Sequence, residues 1–264
     1  LAGSAASILI DIDKFMIPQK EVISQTAFYA VAVFIATVVE IPGRAMFQII
    51  NPLVAKALND NNTQELSNLY SKSSINLLIV AGLFFLLINI NIDPFYELMS
   101  NPSYGNAIWV VLMISLSKLI LMSFGCGPAI LATAKFYKIT LPFSILMAIS
   151  VYFLNDILID IYSINGAALS TLLVVSIFTF VKIIYIKFKL NISPYSFQSL
   201  KVLLIICAVF FMFEIIEFNF SSLIEIIINS LLIAAIYSFL IYKSKSSEAI
   251  NSFINNLLKG QLRL

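Results

Sequence analysis

The chain has 264 residues, 60% hydrophobic and 11% charged, with a formal net charge of +2 and a mean hydropathy of +0.98. Soluble domains carry about 25% charged residues, so this composition belongs to an integral membrane protein, and its small net charge offers nothing to nucleic acid. The complete lack of histidine removes the commonest general base and metal ligand; neither an enzyme nor a bound cofactor or metal is expected.

Apolar runs alternate with short polar links, and the runs are too long and too continuous for barrel strands. They predict an all-α polytopic membrane protein of about eight transmembrane helices, roughly 1–17, 25–56, 70–92, 106–132, 137–158, 165–188, 199–217 and 222–242. The first run, LAGSAASILI, has neither a starting methionine nor the basic flank of a signal peptide. It is too short to span by itself and reads as the second half of a helix begun in a longer chain. Asp11-x-Asp13 follows it, a metal-like spacing at the outer end of a helix, where solvation of the helix end is the expected role.

The second run contains VVEIPGRAMFQIINP at 38–52. Pro42 removes a backbone donor and kinks the helix, and Gly43 leaves room beside the kink. Glu40 and Arg44 are four apart with the acid first, the favoured order for a helical ion pair. Residues 54–74 continue as a polar, partly amphipathic segment, expected to lie at the inner interface; 91–107 is a proline- and asparagine-rich outer turn. The fourth run holds Lys118, about twelve residues from either end, roughly 18 Å at 1.5 Å per residue. That is beyond a lysine's reach to an interface, so its partner is either an acid on another helix, Glu40 being one choice, or a water-filled cavity. A second break, Gly125-Cys126-Gly127-Pro128, interrupts the same run. Further on, Gly166 and Ser170 give a small-xxx-small spacing for close helix packing. Cys126 and Cys207 lie in apolar runs and read as buried small hydrophobes.

With the C-terminus inside, the inner links hold Lys56, Lys72, Lys135, Lys138, Lys182, Lys187, Lys189, Lys201, Lys243, Lys245, Lys259 and Arg263, and the outer links hold only Lys14 and Lys20. This positive-inside bias sets the orientation and leaves Arg44 and Lys118 as the cations at membrane depth.

These stretches together resemble the Wzx-type polysaccharide (O-antigen) flippases of the MOP exporter superfamily. The resemblance rests on IDIDKFMIP at 10–18, AFYAVAVFIATVVEIPGRAMFQIINPLVAKAL at 27–58, NLYSKSSINLL at 68–78, KFYKITLPFSILMAI at 135–149 and INGAALST at 164–171. It implies a fourteen-helix protein of two six-helix lobes around a cavity plus two further helices. On that template, 1–190 is the second lobe and 191–264 the additional pair, the N-terminal lobe being absent. It also implies a bacterial inner-membrane location, a cytoplasmic C-terminus, and export of an undecaprenyl-pyrophosphate-linked oligosaccharide by alternating access, for O-antigen and lipopolysaccharide assembly.

Arg44 and Lys118 would then meet the diphosphate, and Gln48, Asn51, Ser115, Ser117 and Ser123 the sugar hydroxyls. Glu40 and Asp11 would couple transport to a H+ or Na+ gradient. Pro42, Gly43, Gly125, Gly127 and Pro128 would form hinges. Where relatives usually place a proline before the glycine of the Gly-Ala-Ala motif, this chain has LIDIYSING with Asp160, which implies a different outer loop. A MATE-like cation-coupled exporter is the nearest alternative, and a membrane glycan polymerase or acyltransferase a more distant one.

Overall fold

The structure, a computed structural model, describes residues 12–99, 101–133, 136–215 and 221–258. Every regular element among them is a helix. Residues 12–20 form α1. One long broken helix follows, made of α2 (Ile23–Ala36), a 3-10 turn (Thr37–Glu40) and α3 (Ile41–Asn59). The chain continues with α4 (Thr63–Ile90), α5 (Ile92–Glu97), a second 3-10 turn (Pro102–Ala107), α6 (Ile108–Ser123) and α7 (Gly127–Ala132). It ends with α8 (Tyr137–Tyr162), α9 (Ile164–Leu190), α10 (Phe197–Ile215), α11 (Ser222–Ser244) and α12 (Glu248–Leu258). Seven segments among the described residues are long and apolar enough to cross a membrane, beginning with Ile23–Asn59 and ending with Ser222–Ser244. This is the pattern of a multi-pass membrane protein. Most of the expected first crossing, 1–17, lies outside the described residues.

The segment 54–74 is not an interfacial helix. α3 runs on to Asn59, the chain reverses with Asn61 at φ 52°, and α4 starts at once. Asn62 explains the restart: its side chain accepts from the Glu65 N–H at 3.0 Å and its Nδ2 donates to the Glu65 carboxylate at 3.0 Å, a reciprocal cap on the new N-terminus. The expected turn over 91–107 does form, built from α5 and the second 3-10 turn.

Three apolar clusters hold the helices together. One joins α4, α6, α10 and α11 through residues such as Leu78, Leu119, Val202, Ile206, Ile233 and Tyr237. The second joins α1, α2, α6, α8 and α9 around Ile17, Tyr29, Val110, Ile159 and Ala167. The third joins α3, α4, α7 and α9 around Val54, Tyr70, Phe124 and Ile186. α10 and α11 therefore share a core with the rest of the bundle through α4. Gly82 of α4 lies so close to both that a Cβ there would meet Ile206 Cδ1 at 2.5 Å and Tyr237 Oη at 2.8 Å, and the Tyr237 hydroxyl donates to the Ile79 carbonyl at 2.8 Å. Outward, α8 exposes Tyr152, Phe153, Ile157 and Ile161, and α11 exposes Leu231 and Phe239. Water would not tolerate such continuous apolar faces; hydrocarbon suits them. Cys126 is buried as expected, but Cys207 is exposed on α10, and both are free thiols.

At the helix ends nearest residue 20, Lys20 clamps α1 to α8. Its ammonium contacts Asp156 Oδ1 at 2.7 Å and Asp160 at 3.0 Å and donates to the Asp156 carbonyl. The hydrogen bond to Asp156, opposed by desolvation and reinforced by Asp160, raises the Lys20 pKa above its ordinary value.

Candidate functional site

The break expected at Pro42–Gly43 appears one turn earlier, as a change of helix type. Pro42 has no N–H to offer upstream carbonyls and its ring crowds the preceding turn, and the strain is absorbed where α-helix gives way to 3-10 over Thr37–Glu40. Gly43 lets α3 approach α6: a Cβ at this buried position would meet Met122 Sδ at 2.5 Å.

The 3-10 turn holds Glu40 near the middle of its 37-residue span, about 25 to 28 Å from the two ends at 1.5 Å per residue. Its carboxylate serves two cations. Oε1 accepts from Arg44 at 3.0 Å and Oε2 from Lys118 of α6 at 2.9 Å. Both partnerships raised by the sequence, within one helix and across two, are thus made by the same acid. The cluster carries one negative and two positive groups, a net +1. The three differ in exposure: the Lys118 and Glu40 side chains are 15% and 19% accessible, Arg44 70%. The Lys118–Glu40 pair ties α6 to the 3-10 turn, whereas the Arg44 guanidinium, bonded to Glu40 on one side, stands largely open.

Arg44, Gln48 and Asn51 recur at i, i+4 and i+7, which places them on one helix face, and all three are exposed. A polar face of this kind in a spanning helix is costly against lipid and calls for water or another polypeptide. Ser115 and Ser117 do not join it. Both are buried, with Ser115 bonded to Asn89 of α4 and to the Leu112 carbonyl, and Ser117 to the Ile114 carbonyl. Ser hydroxyls on a helix readily bond back to the preceding turn, and here they serve packing. Ser123 bonds to the Ile120 carbonyl and the Tyr195 hydroxyl.

The second break falls where the sequence places it. α6 ends at Ser123, Gly125 turns the chain with φ +59°, and Pro128 sits in the first turn of α7, where its missing N–H costs nothing. Gly125 is also required by space: a Cβ would meet the Ser74 backbone nitrogen at 2.6 Å. A Cβ at Gly127 would collide with the Phe124 ring.

A further polar centre had no sequence signal strong enough to single it out. Asp13, expected to be solvated at a helix end, is 4% exposed. Its carboxylate accepts from the Tyr29 hydroxyl of α2, from Asn155 Nδ2 of α8 at 2.6 Å and from the Thr171 hydroxyl of α9 at 2.9 Å. Ser170 donates in turn to Asn155 Oδ1, while Gly166 one turn earlier touches the Leu158 carbonyl so closely that only glycine fits. The Gly166–Ser170 pair therefore packs α9 on α8, as its spacing predicts, and also feeds the Asp13 cage. Asp11 lies outside the described residues. Among the described residues no cluster of metal-ligating side chains occurs. No family model, curated protein or solved structure matches the chain.

Proposed function

We propose that the chain is the C-terminal portion of a flippase of the Wzx type, moving undecaprenyl-pyrophosphate-linked oligosaccharide units across a bacterial inner membrane by alternating access. The observation that carries this reading is the net-positive Glu40–Arg44–Lys118 cluster, whose acid stands midway along the Ile23–Asn59 segment and whose lysine stands one to two turns before the end of α6, continued by Gln48 and Asn51 on one exposed helix face. A lipid-linked diphosphate needs cationic donors, and a guanidinium offers planar, bidentate hydrogen bonding to it. The attached glycan needs amides and hydroxyls to replace water. Arg44 is the residue to meet the diphosphate; Lys118 holds Glu40 and the 3-10 turn in place.

Coupling to a H+ or Na+ gradient falls to the acids, Glu40 and Asp11 from the sequence and now Asp13. Four helices contribute to the Asp13 cage, so a change in the charge of that one carboxylate acts on all of them. A MATE-like exporter of organic cations would place an uncompensated acid on the exposed face, where this chain places Arg44.

The test is export in cells that depend on the full-length protein. Arg44→Ala and Lys118→Ala at normal expression should lower surface glycan and leave lipid-linked oligosaccharide in the inner leaflet; unchanged export in both would end the proposal.

A further inference from the structure

α11 stops at Lys245, whose φ of 50° turns the chain, and α12 begins three residues later. Several bonds fix its direction. The Ser247 hydroxyl donates to Asn76 of α4 at 2.6 Å and accepts from the Ile250 N–H at 3.3 Å. Asn251 Nδ2 donates to the Tyr242 carbonyl at 3.3 Å, and the Tyr242 hydroxyl donates to Asn255 at 2.8 Å. Ile250 packs against the cluster of α4, α6, α10 and α11.

One edge of α12 is out of place for a helix on a water-facing surface. Such a helix turns its apolar stripe to the protein and its polar residues outward. Here Ile250 and the half-buried Ile254 follow that rule, but Asn251 and Asn255 are turned to the protein beside them, while Phe253 stands 57% exposed with Ala249 at the i−4 position. Glu248, Ser252 and Asn256 occupy the remaining exposed side. Lys243 and Lys245, both exposed, flank the start of the helix.

An apolar edge beside a protein-bound polar face, directly after a spanning helix and next to two cations, matches the boundary between acyl chains and anionic headgroups. We propose that α12 lies in the plane of the membrane, with Ala249 and Phe253 immersed at that boundary and Lys243 and Lys245 on the phosphates of anionic lipids. α12 is then a lipid-binding surface, independent of what the Glu40–Arg44–Lys118 cluster carries.

The full chain has one tryptophan, Trp109, so Trp109→Phe gives a silent background for Phe253→Trp. The variant is reconstituted into phosphatidylcholine vesicles containing phosphatidylglycerol, with acyl chains brominated near the headgroup. The expected result is blue-shifted emission quenched about twofold or more by the bromines, with little quenching by acrylamide. Ser252→Trp, about 100° round the helix, should stay open to acrylamide. Lys243→Gln with Lys245→Gln should weaken bromine quenching in anionic vesicles toward that in neutral ones. Water-like emission at position 253 overturns the proposal. So does blue-shifted emission that brominated lipid leaves untouched, which would indicate a protein covering the edge, and so does equal quenching at 252 and 253. If Phe253→Trp loses helical circular dichroism, Ala249→Trp reports on the same edge.

Discussion

Glu40 binds two cations of unequal exposure, and that inequality fixes what each substitution does. Removing Lys118 leaves a part-buried acid with a solvent-exposed partner only. Lys118→Met should cost about 1–3 kcal/mol, the penalty for stripping a part-buried charge of its inner partner, read as a lower thermal midpoint in detergent. Arg44→Ala removes an exposed i, i+4 pair and should cost no more than about 0.5 kcal/mol, so its effect on export, if the proposed function holds, appears without a loss of fold. Gly125→Ala combines a left-handed φ with a clash against Ser74; the backbone alone costs about 1–2 kcal/mol. The Arg44–Glu40 pair was readable from its spacing. Asp13 was not: its partners Asn155 and Thr171 lie 142 and 158 residues away, and a single polar residue in an apolar run does not announce which other one it will meet.

Among the elements, the contact between α8 and α9 depends on Gly166, whose side-chain space is filled by the Leu158 carbonyl. Gly166→Ala should separate the two helices and with them Asn155 and Ser170, seen as faster proteolysis near Ser163. The clamp of α1 on α8 gives a pH signature. The folded pKa of Lys20 is raised from 10.5, so the clamp's contribution is complete below that value and fades as pH climbs through the higher folded one. The thermal midpoints of wild type and Lys20→Met should accordingly differ at neutral pH and converge in strong alkali. Element ends were the least legible part of the sequence. Residues 54–74 look amphipathic, yet the reciprocal Asn62–Glu65 cap makes two spanning helices meet directly. The helix break, by contrast, was marked by Pro42 itself, displaced by the one turn over which a proline's missing donor is felt.

At the scale of the molecule, alternating apolar runs specify a bundle of spanning helices, because hydrocarbon accepts little else. They do not specify neighbours. Seven similar stripes can pack in many orders, and the order found depends on small features such as Gly43, Gly82 and Gly166, each permitting one close approach. Gly82 has the widest consequence. It lets α10 and α11 seat against the same side of α4, with the Tyr237 hydroxyl fastened to the α4 backbone. Any rocking of the bundle would then carry the last two spanning helices along with α4: if the proposed transport cycle holds, spin labels placed on α4 and α10 should keep one distance throughout it, while labels on either side of the Thr37–Glu40 turn change theirs.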